Sequence, residues 1–248
     1  MEMSRLIGGS FHAKQAAMWE GPFDFFIWID SDAIVWGDFT KEIRTDLDFQ
    51  ILWSDISIPS SALAIPEWLP YYYFNPEMIR RFDKDFEWRG NAYFSAGVYA
   101  CRRNSISFAE YTKIMTIQRE NPGMFAFYDM GIINYLVHSK KQRGELNVEM
   151  TDLQHVWAYH GKAELIQDCL GAGWNFPVSV KRPRVAHFCG RKPWIFDRKS
   201  YSRPFTMARL VHHRTSHGEL GAWIAILNED CQVLAKKVKR RFMRFIKK

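Results

Sequence analysis

Hydrophobic positions along this chain of 248 residues run in short continuous blocks separated by helical periodicities. From Phe23 to Ile29 every residue except Asp24 is apolar, the pattern of a strand covered on both faces by helices. It stops on Asp30-Ser31-Asp32. Upstream, Ser10 to Glu20 has helical composition. Ala13, Ala16 and Ala17 supply a small-residue packing face at i, i+3 and i+4, and Gly21-Pro22 closes the element. Phe49–Trp53 predicts a second strand. Residues 58–76, rich in Pro, Ser and Tyr, predict a long irregular excursion of the kind that carries binding residues.

Ala92–Cys101 predicts a strand in which Gly97 marks a bulge or a close approach by a ligand. Asn104 or Ser105 caps a helix that runs to Glu120 with Phe108, Tyr111 and Met115 on its apolar face, and Asn121-Pro122-Gly123 breaks it. A second helix starts near Asp129 and buries Ile132, Ile133, Leu136 and Val137. The short strand Val185–Phe188 follows. Alternating β and α elements without an internal repeat predict the α/β class in a single domain.

Composition narrows the class further. Hydrophobic content of 47% and aromatic content of 16% fit a filled core. No apolar run approaches the ~18–20 residues that span a bilayer, and no basic head with an apolar signal core opens the chain, which predicts a cytoplasmic protein. Cys101, Cys169, Cys189 and Cys231 are widely spaced, as expected of reduced thiols. The net charge of +7 is concentrated: residues 236–248 hold eight Lys or Arg and no acid. The remainder is close to neutral, which argues against a general nucleic-acid binder.

The candidate chemistry lies at the two ends of the chain. Two acids at i and i+2 are common by chance, and Asp32 alone would serve as a turn or helix cap. After an apolar strand, however, residues i and i+2 face the same side, so Asp30 and Asp32 offer their oxygens to one hard cation. The late segment His187-Phe188-Cys189-Gly190-Arg191-Lys192-Pro193-Trp194 adds an imidazole, a glycine that admits a phosphate to the backbone, and a lysine charge. This set reads as a site for a metal-bound nucleotide diphosphate, with imidazole favouring Mn²⁺ somewhat over Mg²⁺. Asp129 at a helix start is either a dipole-complementing cap or a catalytic acid. The aromatic group Trp68, Tyr71, Tyr72, Tyr73 and Phe74 is either loop packing or a stacking surface for a sugar face, the latter being favoured. Cys189 lacks a placed base and is not expected to act as a nucleophile.

These motifs resemble, in order, those of the retaining sugar-nucleotide glycosyltransferases of family 8, which include glycogenin and lipooligosaccharide galactosyltransferases. Asp30-Ser31-Asp32 is similar to the family's D-x-D, and Phe94-Ser95-Ala96-Gly97-Val98 to its F-N-S-G-V strand. Asp129-Met130-Gly131-Ile132-Ile133-Asn134 is similar to its D-Q-G/D-x-L-N helix start. His187–Trp194 resembles its H-F-x-G-x-x-K-P-W loop. The resemblance implies a GT-A type, Rossmann-like nucleotide-diphospho-sugar transferase domain. It implies Mn²⁺ or Mg²⁺ on Asp30, Asp32 and His187, and a UDP-sugar donor met by Ser31, Ser95, Gly97, Asp129, Gly190 and Lys192. Asp129 is the implied catalytic residue, and a glycan or glycolipid the implied acceptor, as in lipopolysaccharide or polysaccharide biosynthesis. Three departures stand out. Ser95 replaces an asparagine, Met130 replaces a glutamine considered as nucleophile, and the last loop is one residue shorter. Only 29 residues precede Asp30, whereas roughly 60–80 are expected at ~30 or more per βα unit. Either the chain is truncated at its N-terminus, or another segment or chain holds the base.

The expected organisation is a catalytic domain over 1–220 and an amphipathic basic helix over 221–248. Leu234, Val238, Phe242, Phe245 and Ile246 form one stripe of that helix, either docked on the globule or facing an anionic membrane surface. The latter predicts peripheral attachment to the inner face of the membrane. The expected function is metal-dependent sugar transfer, with retention, and without nucleic acid. The alternatives are an inverting GT-A transferase and a non-catalytic or truncated donor-binding or scaffold protein.

Overall fold

The computed structural model describes residue 7 and residues 11–52, 69–126, 129–151, 153, 155–157, 184–188, 192, 194, 196 and 203–246. The chain divides into two compact units, Met1–Ser31 with Asp38–His155, and Asp32–Gly37 with Val156–Lys248.

The first unit is built on a four-stranded sheet in the order β1-β4-β3-β5, from strands β1 (Phe25–Ile29), β3 (Phe49–Ile51), β4 (Val98–Arg102) and β5 (Val148–Met150). β4 runs antiparallel to both β1 and β3, while β3 and β5 are parallel. β1 is an end strand in this order and its residues are half-buried. The expected strand covered on both faces is therefore shorter and more open than its apolar run suggests. Helices α3 (Phe108–Glu120) and α4 (Asp129–Gln142) close the core with Phe49, Tyr99, Tyr111, Ile132, Ile133 and Val137.

Several element boundaries differ from expectation for local reasons. The strand expected over 92–101 begins at Val98, because the Asn134 side chain takes both backbone groups of Phe94: the Phe94 N–H donates to Oδ1 (3.0 Å) and the Phe94 carbonyl accepts from Nδ2 (2.8 Å). The cap of α3 is Ser107 and not Asn104 or Ser105. Its hydroxyl accepts the Glu110 N–H while Glu110 reaches back to the Ser107 N–H, a reciprocal capping box worth about 1 kcal/mol. Asn104 instead takes the left-handed turn after β4, at φ 63°.

The excursion expected over 58–76 contains two short helices, α1 (Leu69–Tyr73) and α2 (Pro76–Ile79), the latter capped by Asn75. Tyr73 and Phe74 are buried core residues and do not form a sugar platform. Tyr71 is exposed and donates to Glu77, and Tyr72 stacks edge-on against Tyr73. Trp53 and Trp68 lie outside the described residues.

Phe11–Met18 is a 3₁₀ helix, and its buried stripe is His12, Gln15 and Met18. Three residues per turn put i, i+3 and i+6 on one face. The expected alanine face is not the buried one, and Ala13 is exposed.

A second, three-stranded sheet of order β2-β7-β6 is formed by β2 (Ala33–Trp36), β7 (Arg184–His187) and β6 (His155–Trp157), with β2 and β7, both in the second unit, antiparallel. Helix α5 (Arg203–Ile246) breaks at Gly218 (φ 66°, ψ −175°) and doubles back as a hairpin. Arg209 of the first arm donates to Glu229 (3.0 Å) and Asp230 (2.8 Å) of the second. Met207, Leu210, Ala222 and Ile226 pack between the arms. Beyond that seam Leu234, Val238, Phe242 and Phe245 of the terminal stripe are exposed. No helix among the described residues is long and apolar enough to cross a membrane.

Candidate functional site

In the first unit the chain leaves β1 at Asp30, whose N–H donates to the Gly97 carbonyl (2.8 Å) at the start of β4. Trp28, on the same strand face two residues earlier, donates its indole N–H to Asp30 Oδ1 (2.9 Å). The carboxylate is thereby aimed by both backbone and side chain.

Asp129 stands at the opening of α4 and is almost fully buried. Among the described residues its side chain meets two groups, both at Oδ2: Gln15 Nε2 donates at 2.9 Å, and Lys14 Nζ lies at 3.1 Å. Lys14 also lies 3.8 Å from Asp30 Oδ2, so one ammonium serves two carboxylates. Gln15 Oε1 accepts from the Tyr99 hydroxyl (2.9 Å). His12, on the same inward face, pairs through Nδ1 with the Tyr111 hydroxyl (2.9 Å). Burial holds its pKa below the usual imidazole value, against the opposing pull of Asp129.

Ser95 and Gly97 are buried beside this group in sequence; the Ser95 hydroxyl accepts the Gly97 N–H (3.3 Å) and lies 3.9 Å from Met130 Sδ. Asn134 pins the segment by holding Phe94 and, through the Met130 carbonyl (2.9 Å), its own helix.

In the second unit, β2 and β7 bring the Asp32 and His187 segments together. Ala33 pairs with His187 across the ladder, and the Phe188 N–H donates to the Asp32 carbonyl (2.9 Å). His187 is buried, with Nε2 3.0 Å from Asp32 Oδ1. Lys192 Nζ pairs with Asp32 Oδ2 and donates to the Phe188 carbonyl (2.6 Å). Burial alone would raise the Asp32 carboxyl, but the hydrogen bonds and charges of His187 and Lys192 outweigh it and hold the group well below the ordinary carboxylate range. Gly190 lies outside the described residues. Ser31, exposed, is the single residue between Asp30 and Asp32.

Lys14, Gln15, Trp28 and Asn134 are the site residues that sequence reading missed. The available signal was weak: His12 and Gln15 are polar at a spacing of three, and Asn134 interrupts an apolar helix face.

No family model matches the sequence, and no curated protein matches it. Among solved structures, the chain is similar to the galactosyltransferase LgtC, solved in complex with donor and acceptor sugar analogs. The TM-score is 0.50 at 14% identity, over 80% of this chain. The chain spans 65% of the length of that protein. The fold is the mixed α/β GT-A nucleotide-sugar transferase fold.

Proposed function

We propose that the chain is a metal-dependent glycosyltransferase related to family 8. In this reading it moves a sugar from a UDP-sugar to a saccharide or lipid-linked saccharide with retention. The observation that carries the proposal is the convergence of His187 and Lys192 on Asp32 at the end of the apolar strand segment. The likeness to LgtC supports it. The donor set fits a divalent cation: Asp30, Asp32 and His187 each offer one ligand atom, two carboxylate oxygens and one imidazole nitrogen, a combination suited to Mn²⁺ or Mg²⁺. Ser31 alone separates the two acids, so covalent connectivity keeps them within reach of one ion. When bound, the cation neutralises charge on a departing diphosphate.

The chain's own residues carry the rest. Trp28 and the Gly97 carbonyl hold Asp30. Lys192, on a flexible stem and 42% exposed, supplies a movable positive charge to diphosphate oxygens, with Gly190 and Ser31 beside them in sequence. Asp129, fixed on Oδ2, orients the donor sugar or steadies its developing positive charge, with Ser95 and Gly97 as further donor contacts. Met130, in the glutamine position, has no amide oxygen to act as the nucleophile considered for that glutamine. This favours attack by the acceptor hydroxyl from the leaving-group face, with its proton passing to a phosphate oxygen and no covalent adduct on the chain.

Exposure of Leu234, Val238, Phe242 and Phe245 beside Lys236, Lys237 and Lys239 supports peripheral attachment to the inner face of an anionic membrane. Each basic residue near such a surface contributes ~1 kcal/mol.

The test is UDP release from a panel of UDP-sugars with and without Mn²⁺, followed by anomeric analysis of the product. Metal-dependent release with a retained anomer supports the proposal. Binding of UDP without turnover favours a donor-binding protein, and an inverted anomer favours the other transferase class.

A further inference from the structure

We infer that Gln15 is a positioning residue for Asp129, fixing the carboxylate through a relay that begins at Tyr99; its role in transfer rests on the proposed transferase reading. The chemistry of the three groups sets the direction of every bond. A carboxylate only accepts, so the Gln15 amide must present its NH₂ to Asp129 Oδ2 and its carbonyl to Tyr99, whose hydroxyl must then donate. Burial raises the Tyr99 pKa well above the ordinary phenol value, so the hydroxyl keeps its proton.

Gln15 is 0% exposed, and an apolar side chain is the ordinary occupant of such a position. A buried amide is retained without penalty only when both of its ends are satisfied, as they are here. Lys14 contacts the same Oδ2 but is 21% exposed and shared with Asp30. Gln15 contacts Asp129 alone among the carboxylates and adds no charge.

The same strand segment also meets the Asp30 main chain: the Gly97 carbonyl, just before β4, accepts the Asp30 backbone N–H, and Tyr99, two residues on, holds the Asp129 carboxylate through Gln15. The 3₁₀ helix Phe11–Met18 therefore joins β4 to the start of α4.

The test compares wild type with Gln15→Leu, Tyr99→Phe and the double variant, in steady-state turnover of the preferred UDP-sugar and in crystal structures. Gln15→Leu should lower kcat by at least tenfold and up to ~10²-fold, the scale of a misplaced reacting group, with KM for the donor and the Kd for UDP within about twofold. Tyr99→Phe should lower kcat less, and should add nothing in the Gln15→Leu background. The crystal structures should show one Asp129 rotamer in wild type and a shifted or divided one in Gln15→Leu. Equal falls in kcat, UDP binding and thermal midpoint, or independent effects of the two changes, would overturn the inference in favour of plain core packing. Wild-type protein that turns over no UDP-sugar would sink the transferase reading, and the rotamer comparison would still decide whether Gln15 fixes Asp129.

Discussion

His187 Nε2 lies 3.0 Å from Asp32 Oδ1, and the same carboxylate meets Lys192, 160 positions further along the chain. Two turns that look unremarkable alone thus form one electrostatic unit, and that unit makes the behaviour of Asp32 testable.

Asp32 has a depressed pKa in the folded chain, so its contribution to stability is complete above the unfolded value of about 3.8 and is lost as pH falls from there towards the lower folded value. Without added metal, Asp32→Asn should cost about 1–2 kcal/mol at pH 7, as expected for charge-assisted hydrogen bonds. The difference should shrink below pH ~4. Urea unfolding of both proteins from pH 7 to 3 measures it. A constant difference across that range would assign the loss to something other than the carboxylate charge.

His138 tests the core in the opposite residue class. Burial pushes its pKa down to about 3, with the nearby Lys141 charge acting in the same direction, and its ring packs edge-on to Tyr93 (5.2 Å) and Phe94 (6.1 Å). Neutral in the fold and protonated when unfolded, it supports the fold fully above pH 6.5. That support is lost as pH falls from 6.5 towards 3, by up to ~1.4 kcal/mol per unit. His12 acts in the same sense. His138→Phe should flatten the acid side of the stability profile; an unchanged slope would show that the ring is protonated in the fold.

Gly131 marks where α4 meets the backbone before it. A Cβ there would sit 2.3 Å from the Tyr73 carbonyl oxygen and 2.8 Å from that of Ala126. Gly131→Ala should therefore shift the start of α4 and cost ~1–3 kcal/mol. A thermal midpoint equal to wild type would mean that the helix start gives way freely.

The hairpin α5 predicts that liposomes of anionic lipid, and not neutral ones, co-sediment the protein. Binding should weaken with salt and disappear on deleting residues 234–248. Equal pelleting of the full-length and shortened chains would remove membrane attachment from the proposal.

What could be read from the sequence divides along a physical line. Asp30, Asp32 and His187 stand at the ends of apolar runs, with Lys192 five positions after His187, and the fold class follows from the same runs. Gln15 and Lys14 were hidden because the alanines around them suggest a 3.6-residue period, whereas the 3₁₀ helix turns every third residue inward. Tyr73 and Phe74 went to the core because Asn75 caps a helix just after them, which no hydrophobic count registers. The late start of β4 depends on Asn134, 40 residues away, capturing the Phe94 backbone. Such side-chain claims on the main chain leave no periodicity to find.

The most direct measurement is UDP release from the preferred UDP-sugar by wild type, Asp30→Asn and Asp32→Asn, titrated with Mn²⁺ from a metal-free preparation. Sugar transfer through this site predicts no release without divalent cation and saturable activation in wild type. Both variants should lose at least tenfold in turnover, within the range for groups that serve charge developing in the transition state. Release by wild type that ignores the metal, or that survives intact in both variants, would contradict it.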